Sequence, residues 1–285
     1  MTCELIKLNP LTKEQSSIQI GMEVRSFCCV DDDIYFIHRE GIGKIQNGVV
    51  DHNWYQELCS VDIPSLSSLS SITYCPFNNN LYVVSDGGSQ IGKVDLVMLD
   101  FEFMISKGSV KQFKDKFLSV NDSDTYIVSD GRKIVWSITD CHRCFQMVDC
   151  KAVPLVGCGK SGYSMSKLEH ARISCPTGIA IMNGVICFSD MGNNCLRGVS
   201  NNKLLTVISD CKNVKDVFYH NEKIFFLSDK TIYMLSSEGD SGHLFEVYRS
   251  KNLIKSFFPK GNDCMYLLYN NYGIPLQERK TDQST

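Results

Sequence analysis

An apolar run ending in Ser-Asp recurs four times: "LYVVSDGG" (81–88), "TYIVSDGR" (125–132), "VICFSDMG" (185–192) and "IFFLSDKT" (224–231). Two weaker copies flank them, "IYFIHREG" (34–41) and "MYLLYNNY" (265–272). The Asp position falls at Arg39, Asp86, Asp130, Asp190, Asp229 and Asn270, with spacings of 47, 44, 60, 39 and 41 residues. A repeat of this length, built from short β-branched and aromatic runs punctuated by Asn, Asp and Gly, is the signature of four-stranded propeller blades. Six copies predict an all-β, six-bladed β-propeller over residues 1–278. Residues 279–285 are then a polar tail, a candidate linker to a further domain.

Within each repeat a first strand, such as "SSITYC" (70–75), "KFLSV" (116–120) or "GIAIM" (178–182), precedes the Ser-Asp strand, and a third strand follows the turn. In the third repeat "KIVWSI" (133–138) is then the third strand and "CFQMVD" (144–149) the outer one. The last repeat has "LIKSFF" (253–258), "CMYLLYN" (264–270) and "GIPLQE" (273–278), and lacks an outer strand. The alternating start "CELIKL" (3–8) has no repeat of its own, so the N-terminal strand is expected to close the last blade beside 273–278 and to cover an open edge.

The segment "PLVGCGKSGYSMSKLEHARISCPTGIAI" (154–181) contains a GxGxxG spacing and the tail of a phosphate-binding loop. Neither reading holds. The P-loop glycine five residues before Gly159 is Pro154, and no long helix or βαβ unit follows. The segment, continued by "NGVICFSDMGNNCLRGVS", resembles an NHL repeat over residues 154–200. The matching positions are Gly157, Gly159, Gly162, Ala171, Arg172, Pro176, Gly178, Ile179, Ala180, Asp190, Gly192 and Asn193. The resemblance implies that the glycines serve a winding connection between blades, where positive φ is needed. Family members commonly carry His-Arg after Gly-Asn; here those positions are Asn194 and Cys195.

Catalytic signals are sparse. The repeated Asp residues read as turn acceptors, because Asp at a strand end takes hydrogen bonds from the following backbone. Cys141 and Cys144, with Cys150 and Cys158 further on, open like a zinc site but lack a second close pair. No HExxH or G-x-S-x-G motif is present. The first strands offer few carboxylates for a lactonase-type metal site, Asp216 being the main exception. No metal, cofactor or enzyme activity is therefore expected.

The net charge of −3 gives no electrostatic reason for a nucleic-acid or membrane partner. No apolar window reaches membrane-spanning length. The start has no signal-peptide pattern, and the 14 cysteines are scattered through apolar strands. Reduced thiols in a cytoplasmic or nuclear protein are the expectation. The function expected is a non-enzymatic module that binds a protein or peptide as a scaffold or adaptor. Its face is the set of turns carrying Arg39, Arg132, Lys133, Asn194, Lys230, Tyr269 and Tyr272, since Arg and Tyr are favoured at hot spots. RNA binding, which some NHL propellers perform, is the alternative; a lactonase- or lyase-type enzyme is the second.

Overall fold

The computed structural model describes residues 2–55, 68–105, 124–236, 243–261 and 263–271. Among them are six antiparallel four-stranded sheets. Blade one holds strands Val24–Val30, Asp33–His38, Gly41–Gln46 and Val49–Asp51. Blade two holds Ser71–Cys75, Asn80–Ser85, Gln90–Asp95 and Phe101–Ile105. Blade three holds Thr125–Ser129, Ile134–Ile138, Arg143–Val148 and Lys151–Val156. Blade four holds Pro176–Met182, Val185–Asp190, Cys195–Ser200 and Lys203–Ile208. Blade five holds Val214–His220, Lys223–Ser228, Thr231–Ser236 and His243–Arg249. Blade six is composite, in the order Ile254–Lys260, Cys264–Asn271, Thr2–Leu8, Gln15–Gln19.

The closure differs from the expectation in its partner. Thr2–Leu8 pairs with Cys264–Asn271, from Thr2↔Asn271 to Leu8↔Met265, and Gln15–Gln19 adds the outer strand. The expected partner 273–278 lies outside the described residues. The N-terminus thus supplies two strands rather than one. Cys3 and Leu5 pack toward blade one and Leu8 toward blade five, so "CELIKL" is a strand buried between two sheets.

Blade three corrects the repeat frame. Thr125–Ser129, the run ending in Ser129-Asp130, is the channel-side strand, not the second one. Ile134–Ile138 is second, Arg143–Val148 third and Lys151–Val156 outermost. The expected first strand, 116–120, lies outside the described residues. Period-two apolar patterning is the same for a first and a second propeller strand, because both are buried on two faces. A Ser-Asp ending marks a turn, and a turn follows either strand.

Strand alternation divides the turns between two ends of the ring. First-to-second and third-to-fourth turns lie at one end, here the hairpin end. Second-to-third turns and the connections between blades lie at the other, the linker end. Short polar side chains fasten neighbouring blades around the ring. Ser26 Oγ accepts from the Ile72 N–H and Ser71 Oγ from the Ile127 N–H, each at 3.3 Å. Ser137 Oγ donates to the Thr177 carbonyl at 2.7 Å, and Thr177 Oγ1 to the Val214 carbonyl at 2.8 Å. Asp216 accepts from the Ser256 hydroxyl and the Phe257 N–H. Each such bond is worth about 1 kcal/mol net. Between blades, apolar clusters do the larger share of the work, as where Trp136 of blade three packs among Val84, Ile91 and Ile105 of blade two and donates Nε1–H to the Gly88 carbonyl at 3.1 Å. No helix among the described residues is long and apolar enough to cross a membrane.

Candidate functional site

The first strands surround a central channel of about 1250 Å³. Its two halves differ because each first strand begins at the linker end and finishes at the hairpin end. Near the linker end the lining includes Glu23, Arg25, Asp124, Lys215 and Lys255. Near the hairpin end it includes Tyr74, Pro76, Ile181, Tyr219 and Phe258. Asp216 is the buried carboxylate on these strands, as its exception in the sequence foretold. Burial pushes its pKa up to about 6, against the lowering pull of the Ser256 and Phe257 hydrogen bonds and of Lys215. It occupies the same inter-blade position as the Ser26 and Ser71 hydroxyls, which makes it a fastening between blades five and six. Among the described residues no group of three or more His, Cys, Asp or Glu is gathered to hold a metal ion.

The expected binding residues do not form one surface. Arg39, Asn194 and Lys230 are exposed at linker-end turns. Asn194 adopts φ +53° and closes its turn through an N–H to the Met191 carbonyl. Lys230 donates from Nζ to the Lys251 carbonyl at 2.8 Å. Arg132 and Lys133 are exposed too, but the changed frame of blade three puts them at the hairpin end. Tyr269 is 7% exposed, and its hydroxyl donates to Ser250 Oγ at 3.1 Å. It is a core residue because the second strand of blade six is covered by its neighbours. Tyr272 lies outside the described residues.

Asp130 and Asp190, two of the Asp residues at strand ends, hold structure through different partners. Asp130 Oδ1 accepts from the Arg132 and Lys133 N–H groups at 2.9 and 2.8 Å, as a turn acceptor should. Asp190 instead sits at the centre of a buried network. It accepts from the Ser174 N–H at 2.6 Å, from Asn193 Nδ2 at 2.8 Å and from Arg197 Nη1 at 3.3 Å. Burial raises its pKa in spite of these partners. Arg197 also donates to the Arg172 and Ser164 carbonyls at 3.1 and 2.8 Å, and its guanidinium lies 4.7 Å from the centre of the Tyr163 ring. The pair therefore clamps the glycine-rich connection onto blade four. In that connection Gly157, Gly159 and Gly162 adopt φ of +104°, +80° and +141°. Only a three-residue 3-10 turn, Leu168–His170, follows them before the next strand. Sequence reasoning passed over Arg197; a lone Arg in an apolar strand beside an Asp-bearing one was the available signal.

The cysteine candidates are not brought together. Cys144 is buried in the third strand of blade three, with Cys141 before that strand and exposed Cys150 beyond its far end. Six strand residues put those two about 20 Å apart. Every cysteine among the described residues is a free thiol.

The most exposed apolar side chains share one end. Phe77 is 80% exposed, Leu11 77%, Met98 74%, Val97 73% and Val49 69%. All five sit in or beside hairpin-end turns of blades six, one and two, with Val148 of blade three next to them at 44%. These four blades are contiguous, whereas the corresponding turns of blades four and five present Asn183, Gly184, Asn201, Asn202 and Asn221. The tips are held rigidly. Asn9 Oδ1 accepts from the Leu11 and Thr12 N–H groups at 2.9 and 3.0 Å. Asp95 Oδ1 does the same for Val97 and Met98 at 2.8 and 3.0 Å, bonds that lower the Asp95 pKa. Gly131, at φ +89°, lies against the Phe77 side chain with no room for a Cβ, and so brings Arg132 and Lys133 beside the apolar arc.

The chain is similar in architecture to several solved propellers. One is a catalytically inactive virginiamycin B lyase from Staphylococcus aureus with quinupristin, at 12% identity and a TM-score of 0.58, covering 92% of this chain and 86% of that one. A chain in a nidogen/laminin complex matches at 8% identity and a TM-score of 0.56, covering 87% and 95%. A candidate gluconolactonase matches at 9% and 0.56, covering 87% and 88%. The likeness carries the fold alone. No protein-family model, the NHL repeat included, and no curated protein matches the sequence.

Proposed function

We propose that this chain is an NHL-like propeller that works as a non-enzymatic protein- or peptide-binding module, and that its partner docks at the hairpin end. The observation that carries this reading is the set Leu11, Val49, Phe77, Val97 and Met98, each more than two-thirds exposed, at one end of three adjacent blades. Isolated exposed apolar residues are ordinary, but five gathered at one end of adjacent blades, beside polar turns, suit an interaction surface. Asx turns and the Gly131 contact hold the arc in place, so a partner loses little free energy to ordering the receptor. Arg132 and Lys133 beside Phe77 supply a charged rim suited to an acidic flank on the partner.

The channel supports binding over a lyase or lactonase reading. Its buried carboxylate, Asp216, is engaged by Ser256 and Phe257 of the next blade. For RNA the relevant turn carries Asn194 and a buried Cys195 where a basic pair is commonly found.

The test is affinity capture with and without nuclease, comparing the wild-type chain with Arg132→Glu plus Lys133→Glu. Loss of the same bound proteins in the charge-swapped variant, with unchanged melting, is the expected result. Wild-type capture by that variant counts against the hairpin end. A nuclease-sensitive, steeply salt-dependent complex counts for RNA.

A further inference from the structure

Four of the six channel-lining strands shift their pairing register near the linker end. In blades one, five and six the shift leaves a single residue between paired neighbours, and that residue is basic each time. It is Arg25 between Val24 and Ser26, Lys215 between Val214 and Asp216, and Lys255 between Ile254 and Ser256. In blade four the shift falls between Pro176 and Ile179, around Thr177 and Gly178. A bulge re-aims a side chain, and bulges recur beside functional sites. Arg25, Lys215 and Lys255 all line the channel. Blades five, six and one are neighbours around the ring, so the three cations form an arc on one wall of the mouth.

Arg25 is oriented by donating from Nη1 to the Leu69 carbonyl at 2.7 Å. Lys255 lies 3.7 Å from Glu23, a carboxylate 56% exposed and free to be displaced. Lys215 makes no hydrogen bond or ion pair among the described residues. On the opposite wall Asp124 of blade three has Asp140 beside it; both lysines act on Asp124 electrostatically, which puts these charges around one opening. Asp216 is held by Ser256 and the Phe257 N–H in the seam between blades five and six, with Lys215 acting on it from the adjacent position.

We propose that the linker-end mouth of the channel is a binding site for a small polyanion, one bearing two or more carboxylate or phosphate groups, held by Arg25, Lys215 and Lys255. Three cations gathered on one wall of a cleft with low-dielectric walls favour an anion on that wall, with the carboxylates of Asp124 and Asp140 facing it across the opening. An arginine binds carboxylate or phosphate groups bidentately, and lysines bind them as point charges. A monoanion engages one arm of the arc, whereas a polyanion spans it. The site is separate from partner docking at the hairpin end, and either stands if the other fails.

The test is calorimetric titration of the full chain at constant ionic strength with three probes: citrate, inorganic pyrophosphate and a tetraglutamate peptide. At least one should bind saturably with one site per chain. Lys215→Gln with Lys255→Gln should weaken that binding by about tenfold or more, while Lys151→Gln with Lys203→Gln should leave it unchanged. Preference for citrate assigns free carboxylates, for pyrophosphate assigns phosphates, and for tetraglutamate assigns peptide-borne carboxylates. In the wild-type chain the bound probe should also slow acetylation of Lys215 and Lys255, but not of Lys203, a readout that needs no variant. Absence of saturable binding by all three probes, or binding and protection indifferent to Lys215 and Lys255, would overturn the site.

Discussion

Asp216 and Asp190 are both buried carboxylates, and each exposes a different consequence of burial. For Asp216 the folded pKa is about 6 against an ordinary 3.8. The folded chain therefore binds more protons than the unfolded one between those values. Its stability falls as pH rises through that window, by about 3 kcal/mol in total, and is flat in this respect above it. Asp216→Asn should remove that slope, as denaturant midpoints at pH 4.5 and 7.5 would reveal; an unchanged slope contradicts the assignment. Asp190 is paired, so removing its partner is the informative change. Arg197→Ala strands a buried carboxylate and frees the glycine-rich connection, at a cost of about 3–5 kcal/mol. Urea unfolding checks this, and a loss below about 1 kcal/mol would show that the network is dispensable. The Asp positions were visible in the sequence because turn chemistry is local. Arg197 was not, because its partners Ser164, Arg172 and Asp190 come together only when the connection folds back on blade four.

At the scale of strands, the six-fold repeat was legible and the position of one strand within it was not. "TYIVSD" looks like its counterparts, yet Thr125–Ser129 lies against the channel. Burial on both faces gives first and second strands the same composition, so only the count of strands that follow sets the frame. That single shift moved Arg132 and Lys133 to the other end of the ring. The N-terminal clasp was foreseen from the surplus strand 3–8, but its partner Cys264–Asn271 follows from a second N-terminal strand, Gln15–Gln19, whose exposed, polar residues gave no periodic signal. Deleting residues 1–9 removes the strand that joins both halves of blade six, and should lower the melting temperature by roughly 5 °C or more. Unchanged melting would refute the clasp. Gly178 makes a sharper local test. A Cβ there would overlap the Asp216 and Val217 backbone of the next blade, so Gly178→Ala should separate blades four and five and destabilise the ring by about 1–3 kcal/mol. Melting equal to wild type would mean the blades have room to give.

Across the whole molecule the ring presents two unlike ends. The linker end carries the cationic arc of the channel mouth, and the hairpin end carries the apolar arc around Phe77. Neither polarity was legible in a net charge of −3, because both arise from residues far apart in sequence that the ring places side by side. The central claim is that a protein partner docks at the hairpin end. It is tested most directly by placing a photoreactive benzophenone amino acid at position 77, 98, 39 or 230, one at a time, and crosslinking in cell extract. The account predicts the same protein adduct from positions 77 and 98 and none from positions 39 and 230. Adducts from positions 39 and 230 alone would contradict it.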